Sequence, residues 1–324
     1  MLSYECLGLK CNPFPRTPIP RDDSLVMYDP NGYIEEIKRT IDYVSSTGNS
    51  SHAVIVGPYG SGKTHILKFL LKTLRKDRRF HVVYLQTPGT NFLTLYGRII
   101  DSFIQDNFAR FLEFLPSYIS EKVKPILNSE SQVFVYSWLR GEKVSSKMRN
   151  KLGLGSNLSE YDAISILSSL ISQLDKVCVV LVDEFEAIVD SSINVRQRYL
   201  SHIRQLIDQA YKNLSLIIAV TPAGWTEIVE NHFALARRLS GSVIFLESLT
   251  LKQAYELVDL YIQDHASKPK RIFSREVIKE AYVISQGNIG EFLKLMAVLV
   301  DYAAKKKARK INLDLAKEVL GRYA

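Results

Sequence analysis

The sequence predicts an α/β protein: a three-layer αβα core around a parallel sheet, followed by an all-helical domain. Three observations support this prediction. An apolar, β-branched run at 53–56 leads through a glycine-rich loop into a helical pattern at 65–74. A second apolar run, at 177–182, ends in two acids, as expected for a strand buried on both faces of a parallel sheet. After residue 248 the pattern is helical throughout.

The order of these patterns predicts three regions. Residues 1–32 are rich in proline and turn-forming residues, and we expect an extended arm. Residues 33–247 have the alternating pattern of the core, interrupted by a mostly helical insertion at 104–160. Residues 248–324 are expected to form a lid of four helices. Strands of the core are predicted at 53–56, 81–86, 177–182, 214–220 and 243–246, and one long helix at 225–239.

The glycine-rich loop fits the pattern G-x-x-x-x-G-K-[ST] over residues 57–64. Its glycines let backbone N–H groups turn inward around a phosphate chain, and the next helix points the positive end of its dipole at the same anion. Lys63 is expected to reach the β- and γ-phosphates, and Thr64 to bind Mg²⁺. The predicted nucleotide-binding residues are Gly57, Pro58, Tyr59, Gly60, Ser61, Gly62, Lys63, Thr64 and His65.

The acids after the second apolar run are the predicted partners of this loop. Ligands of parallel sheets bind outside the carboxyl ends of the strands, which is where Asp183 and Glu184 stand. Asp183 would support Mg²⁺, directly or through water, and Glu184 would polarise the attacking water. Glu186 is expected to lie at the periphery. The alternative is a buried strand that simply ends in solvated acids.

A third apolar run, at 214–220, ends in Thr221. Its hydroxyl is a candidate sensor that touches the γ-phosphate or the attacking water. The alternative is a strand-terminal threonine that caps a turn.

Composition limits the class of protein. The chain has 324 residues, of which 46% are apolar and 23% charged, as in ordinary globular proteins. No apolar run approaches the length of a membrane span, and the N-terminal residues lack the pattern of a signal peptide. Cys6, Cys11 and Cys178 cannot form a disulfide framework or a convincing zinc site. We therefore expect a cytoplasmic protein without membrane contact.

The net charge of +8 is spread along the chain, with basic runs at 72–79, 268–275 and 305–310. Such runs can contact phosphates of nucleic acid. They are equally consistent with solvated helix faces or loops, and no sequence-specific DNA-reading motif accompanies them.

These motifs together resemble the AAA+ superfamily of P-loop ATPases, whose elements come in the order Gly57–Thr64, Asp183–Glu184, Thr221, Arg237–Arg238 and helical lid. Within it, the chain looks most like the origin-recognition, or replication-initiator, branch. The opening stretch Leu7–Phe14 is similar to ExeA-like and transposition-helper ATPases. Residues 138–142 and 182–186, with Arg196, are similar to ATP-binding proteins of BREX phage-defence loci.

The resemblance implies a slow, Mg²⁺-dependent ATPase that binds ATP between core and lid and assembles into homo-oligomeric rings or filaments. In such assemblies an arginine from a neighbouring subunit stabilises the transition state. Arg237 or Arg238 matches that position, although a pair of surface cations would look the same. Further candidates are Arg196, Arg198 and Arg204. The lid departs from the family pattern, because Glu291 stands near the place where an arginine is expected.

The expected function is an ATPase whose nucleotide state controls self-assembly in DNA transactions: replication, chromosome segregation, transposition or defence. DNA would be contacted without sequence specificity, because the sequence ends at Ala324 without room for the winged helix of initiators. A protein partner of unknown identity is also expected. The alternative is a nucleotide-gated scaffold, or a filament-forming DNA-segregation or DNA-binding protein, with little turnover.

Overall fold

The computed structural model describes residues 3–16, 27–127, 131–265 and 271–321, which fall into two compact units. The first, the lid unit, consists of Met1–Gly32, Gly57–Phe69 and Phe245–Ala324. The second, the sheet unit, consists of Tyr33–Val56 and Leu70–Ile244. The division into arm, core and lid at residues 32 and 247 stays a prediction.

A five-stranded parallel sheet forms the middle layer, as predicted from the apolar runs. The strands are β1 Ala53–Val56, β2 Phe80–Leu85, β3 Val177–Val182, β4 Leu214–Val220 and β5 Ser242–Phe245. Their order in the sheet is β2-β3-β4-β1-β5. Every residue of β1, β3 and β4 is buried, because these strands are covered on both faces and have neighbours on both sides. The edge strands β2 and β5 are only partly buried.

Helices cover both faces of the sheet, so the predicted three-layer αβα arrangement is confirmed. Helix α1 packs against β3 and β4, while α3 packs against β2, α7 and α9 on the other face. The hydrophobic core that α3, α7 and α9 share with the sheet includes alternate residues of β3, namely Cys178, Val180 and Val182. The helices from α1 to α11 are α1 Tyr33–Thr47, α2 Lys63–Leu74, α3 Phe92–Glu113, α4 Ser117–Val123, α5 Gln132–Leu139, α6 Ser146–Leu152, α7 Glu160–Ser172, α8 Glu186–Val189, α9 Ile193–Gln209, α10 Pro222–Asn231 and α11 Phe233–Leu239.

The described residues between 104 and 160 include the helices α4, α5 and α6, and this region shares the core of the sheet unit. Phe111 and Trp138 are buried there, and the hydroxyl of Tyr96 donates to the carbonyl of Leu139 at 2.7 Å. Helix α3 runs into the insertion and is kinked at Asn107, where φ is −165° and ψ is 99°. The insertion is therefore an extension of the core and not a separate body.

The prediction of one helix over 225–239 is wrong. The chain forms two helices there, because His232 leaves the helical region with φ −134° and ψ 44°. The first of them, α10, also begins earlier than expected. Proline at the first helical position, Pro222, sits where its missing N–H costs nothing, and Thr221 caps the helix.

The lid unit contains the four predicted C-terminal helices, α12 Leu251–His265, α13 Arg275–Ser285, α14 Ile289–Lys305 and α15 Leu313–Leu320. Part of the N-terminal arm packs into it, with Leu7 and Phe14 in its core. Tyr4 and Asn12 both donate to the carboxylate of Asp301 on α14, each at 2.8 Å. The arm from 17 to 26 lies outside the described residues. Within the ranges that the structure describes, no helix is long and apolar enough to cross a membrane.

A buried histidine, His52, stands immediately before β1. The Nδ1 atom of His52 accepts a hydrogen bond from the N–H of Leu216 at 3.2 Å, so the ring must keep a lone pair there. Burial lowers the pKa of His52 to about 4, because the charged form would lose its hydration.

We predict that His52 makes the protein less stable in mild acid. Below pH ~6.5 the unfolded chain binds a proton at this residue and the folded chain does not, so stability falls until the folded pKa is reached. The loss approaches about 3 kcal/mol near pH 4. The free energy of unfolding, measured in denaturant between pH 7 and 4.5, reports it. His52→Asn keeps an acceptor without a titrating ring and should show a shallower decline; an identical decline in both proteins would contradict the assignment.

Candidate functional site

The carboxyl ends of three neighbouring strands lie at one edge of the sheet. The register pairs Val56 with Val220 and Val182 with Ile218, so β1, β4 and β3 end almost level. The glycine-rich loop follows β1 at this edge, Asp183 follows β3, and Thr221 follows β4. The parallel fold thus brings the predicted polar segments out of the sheet on the same side.

Within the loop, Lys63 is buried and turned back onto the chain. Its ammonium group donates to the carbonyl of Gly57 at 2.6 Å and to that of Pro58 at 3.1 Å. The N–H of Ser61 also donates to Pro58, at 3.2 Å, and closes the turn. A buried ammonium group is costly unless it is paired, and these carbonyl dipoles stabilise it. The same three donors of an ammonium group suit phosphate oxygens.

The loop fits a bound anion by its shape. A Cβ atom on Gly57 would lie 2.4 Å from the hydroxyl oxygen of Ser61, and Gly60 and Gly62 have φ of +77° and +99°. The hydroxyl oxygen of Ser61 is buried and has no hydrogen-bond partner in the described part of the chain. Helix α2 begins at Lys63, so its first N–H groups and the positive end of its dipole stand at the end of the loop. Tyr59 is exposed, and Thr64 and His65 are half-buried in the first turn.

At the end of β3, Asp183 is held by two hydrogen bonds. One carboxylate oxygen accepts from the hydroxyl of Tyr84 at 3.1 Å, and the other accepts from the N–H of Glu184 at 3.0 Å. Asp183 is 1% exposed, so its charge is oriented by these donors and not by bulk water. Tyr84 was not predicted as a site residue. The only sign of this role in the sequence is a tyrosine hydroxyl on a largely apolar strand. In the sheet Tyr84 pairs with Leu181 of β3, two residues before Asp183.

Glu184 has an unusual backbone. It is an exposed residue with φ of +48°, in the left-handed region that costs a side-chain-bearing residue about 1–2 kcal/mol. Backbone strain of this kind is concentrated at functional sites, where it aims a side chain. The strained position coincides with the residue that sequence reasoning selects as the base.

Glu186 and Thr221 depart from the simplest expectation. Glu186, expected at the periphery, is only 5% exposed, because it begins α8, which packs against α9 and α10. The hydroxyl oxygen of Thr221 accepts from the N–H of Gly224 at 3.2 Å, so the turn-capping alternative describes its contact. The hydroxyl proton is not used in that bond, and a sensor role for Thr221 stays a prediction.

The two candidate finger arginines differ in their surroundings. Arg238 forms an ion pair with Asp208 and donates to the carbonyl of Ala234 at 2.6 Å. Arg237 is exposed, with its guanidinium 6.0 Å from the ring centre of Phe233, and it makes no ion pair within the described ranges. Arg196, a further possibility, is bound to Glu227 at 3.0 Å. Arg237 is therefore the residue of this set that is best placed to reach another molecule.

The donors available for a metal ion are hard oxygens. No cluster of three or more histidine, cysteine, aspartate or glutamate side chains suited to a metal occurs among the residues described. Mg²⁺ bound with a nucleotide needs only one or two protein oxygens, the rest being phosphate oxygens and water. The Thr64 hydroxyl and the Asp183 carboxylate have the chemistry required.

The sheet order, the loop after β1, the acids after β3 and the helical C-terminal part define an AAA+ ATPase. The model of a family described as an ATPase domain predominantly from Archaea matches residues 34–295. The chain belongs to this family. No curated protein matches the sequence.

Solved structures with the same fold include two archaeal proteins. The Aeropyrum pernix Orc1 protein, solved in complex with DNA, has a TM-score of 0.57 at 13% identity, and the match covers 95% of this chain and 69% of that one. Cdc6p from Pyrobaculum aerophilum has a TM-score of 0.54 at 13% identity, covering 89% of this chain and 66% of that one. At this identity the likeness establishes the fold alone, which is the AAA+ fold that resembles replication initiators.

We predict that Tyr84→Phe impairs the use of Mg²⁺. Loss of the hydroxyl removes a donor that orients the Asp183 carboxylate, and partners of this kind change metal affinity roughly tenfold or more. The Mg²⁺ concentration at half-maximal ATP turnover should therefore rise about tenfold. Tyr43→Phe, on the exposed face of α1, is the matched control. Equal Mg²⁺ dependence in the two variants would refute a role for Tyr84.

Proposed function

We propose that this chain is a Mg²⁺-dependent ATPase that converts ATP and water into ADP and phosphate, and that its nucleotide state controls its self-assembly in DNA transactions. The observation that most directly supports the proposal is that the glycine-rich loop follows directly on β1 while Asp183 and Glu184 follow directly on β3, two strands of one parallel sheet. Membership of an ATPase family agrees with it.

Each residue has a distinct task in this reaction. Lys63 exchanges loop carbonyls for β- and γ-phosphate oxygens and offsets the charge that develops there. The hydroxyl of Thr64 and the carboxylate of Asp183 would hold Mg²⁺, which would supply positive charge to the phosphate chain. Glu184 orients a water molecule and accepts its proton as the water oxygen attacks the γ-phosphorus and the bond to ADP breaks. Thr221 would donate its hydroxyl proton to that water or to the γ-phosphate.

A second copy of the chain is proposed to complete the site. Arg237 would reach the γ-phosphate of a neighbouring subunit, so that ATP stabilises the interface and loss of the γ-phosphate loosens it. Rings and helical filaments both satisfy this requirement. The exposure of Arg237, next to an ion-paired Arg238, favours Arg237 for this task.

DNA is the proposed partner of the assembled form. The net charge is +8, and the run 305–310 has five exposed cations in the lid unit. Lys306 of this run is bound to Glu318 at 3.5 Å, whereas Lys305 and Lys307 are exposed without an ion pair in the described ranges. Such cations would contact the phosphate backbone without reading sequence. Replication, chromosome segregation, transposition and defence all use ATPases of this kind, and a further protein partner would choose among them.

The alternative is a nucleotide-gated scaffold with little turnover. Glu291 stands near the place where the family pattern has an arginine in the lid, and its carboxylate pairs with Lys294 at 3.4 Å. A lid without that cation would sense the γ-phosphate less strongly. In this alternative ATP would lock the assembly and hydrolysis would be dispensable.

We predict that Lys63→Ala abolishes nucleotide binding, because the buried ammonium is the main positive charge of the loop.

Glu184→Gln should keep ATP affinity within about threefold and lower turnover by at least about a hundredfold, since it removes the base. Calorimetric ATP binding and phosphate release measure the two effects. Normal ATP affinity in Lys63→Ala would overturn the proposed site. If Glu184→Gln behaves like the wild-type protein in every functional assay, hydrolysis is dispensable and the scaffold is favoured.

We predict that Arg237→Ala lowers turnover by about a thousandfold and that Arg238→Ala changes it less than tenfold. The decisive measurement mixes Arg237→Ala with Glu184→Gln. Subunits of the first variant retain their base and can receive Arg237 from subunits of the second, so activity should return on mixing. No recovery at any ratio would mean that Arg237 does not act across an interface.

For DNA, we predict that affinity with ATP present falls steeply as salt is raised. The logarithm of the binding constant should decline with a slope of about −0.9 for each phosphate contact. Neutralising Lys305 and Lys307 together should make the slope shallower by about 2, and the paired Lys306→Ala serves as the control. A flat salt response of the wild-type protein would remove DNA from the proposal.

A further inference from the structure

The lid grips the tip of the phosphate-binding loop, and both partners belong to the lid unit. The side-chain amide of Asn288 donates to the carbonyl of Tyr59 at 2.8 Å. The backbone N–H of Gly290 donates to the carbonyl of Gly60 at 2.9 Å. Two adjacent loop carbonyls are thus bound by two residues at the start of α14.

Asn288 performs two tasks at once. It is the N-cap of α14, and its amide oxygen accepts from the N–H of Glu291 at 3.1 Å while its amide nitrogen holds Tyr59. Among the good N-cap residues, only asparagine offers an acceptor and an amide donor on one side chain. Aspartate would keep the cap and lose the donor.

Glycine is required on both sides of this contact. A Cβ atom on Gly290 would lie 3.0 Å from the Cα of Gly60, and one on Gly60 would lie 2.5 Å from the amide oxygen of Asn288. A methyl group at Gly290 would require the helix or the loop to shift by a few tenths of an ångström, and one at Gly60 would displace the Asn288 amide. The backbones approach this closely only because both positions lack side chains.

The contact between the lid and the loop also orients a backbone N–H group of the loop. In a trans peptide the C=O of one residue and the N–H of the next point in opposite directions. Holding the Tyr59 carbonyl on the lid side therefore turns the N–H of Gly60 to the other side of the loop. The carbonyls of Gly57 and Pro58 are held separately, by Lys63. The lid thus completes the orientation of a loop whose N–H groups serve an anion.

The two hydrogen bonds from Asn288 and Gly290 to the loop, here called the clamp, are connected to the rest of the lid. The N–H of Leu249, just before α12, donates to the carbonyl of Gly287 at 2.8 Å. A Cβ on Gly287 would lie 2.6 Å from the carbonyl oxygen of Leu249, so the residue before Asn288 is fixed against the start of the lid. On the other side, α14 buries Phe292 and Met296 completely. Movement of the loop tip must therefore move α14 and the lid core with it.

We propose that Asn288, with Gly290, is a positioning residue for nucleotide binding. The side-chain amide of Asn288 and the backbone N–H of Gly290 hold the loop in its binding conformation before the nucleotide arrives. Both residues lie in the part of the lid where the family pattern has an arginine and this chain has none. This inference rests on the proposed nucleotide site. If the released loop is competent for only a fraction of the time, the apparent dissociation constant rises by the inverse of that fraction.

The full chain offers matched variants. Asn288→Ser and Asn288→Asp keep a helix cap and remove the amide donor, one without and one with a new charge. Asn312→Ser and Asn312→Asp are the controls, because Asn312 caps α15 in the same unit by accepting from Leu315 at 3.1 Å. Two quantities are measured: hydrogen exchange of residues 57–66 in nucleotide-free protein, and the dissociation constants for ADP and a slowly hydrolysed ATP analogue.

Both Asn288 variants should exchange the loop amides about tenfold faster and bind both nucleotides about tenfold more weakly, with kcat at saturation within twofold of wild type. The Asn312 variants should match wild type in all three. Wild-type loop exchange and affinity in the Asn288 variants, or equal changes in the Asn312 variants, would overturn the proposal.

Two further results keep the test decisive. If the wild-type protein binds no nucleotide, the proposed function fails, and the exchange measurement alone decides whether the clamp exists. If the Asn288 variants do not fold, Gly290→Ala replaces them, because it keeps the cap and inserts a methyl group against Gly60. Gly290→Ala should accelerate loop exchange in the same way, and unchanged exchange in a folded Gly290→Ala protein would overturn the clamp.

Discussion

Four consecutive carbonyl groups, from Gly57 to Gly60, are held by hydrogen bonds, and the proposed nucleotide site depends on that restraint. Lys63 holds the first two from inside the loop, and the start of α14 holds the last two. A short loop with several glycines would otherwise sample many conformations, because glycine has little steric restriction. Fixing the carbonyls fixes the amide groups between them, which is preorganisation for an anion.

The parallel sheet supplies the second requirement, a rigid edge from which polar residues emerge. The central strands are buried along their whole length, so their first polar side chains appear where the strands end. Asp183 remains buried at that point and takes its orientation from Tyr84 on the neighbouring strand. The Asp183 carboxylate and the strained Glu184 therefore both depend on the end of β3.

Much of this arrangement could be predicted from the sequence, because the relevant signals are local. A strand buried on both faces must be continuously apolar, and the glycine and lysine spacing of the loop is set by the shape of a phosphate chain. What could not be predicted depends on residues far apart in the chain. The pairing of Arg238 with Asp208, the support of Asp183 by Tyr84 and the contact of Asn288 with Tyr59 leave no periodic trace. The break at His232 was missed for the opposite reason: the apolar pattern continues through it while the backbone does not.

The left-handed backbone of Glu184 has an evolutionary consequence. Glycine would adopt that conformation without strain, so the change that most relaxes the fold here is also one that deletes the carboxylate. If Glu184 is the proposed base, drift toward greater thermal stability would be opposed at this position by selection for turnover. Lineages that kept nucleotide binding but abandoned hydrolysis would be free of that conflict, and a small residue at this position would be their signature.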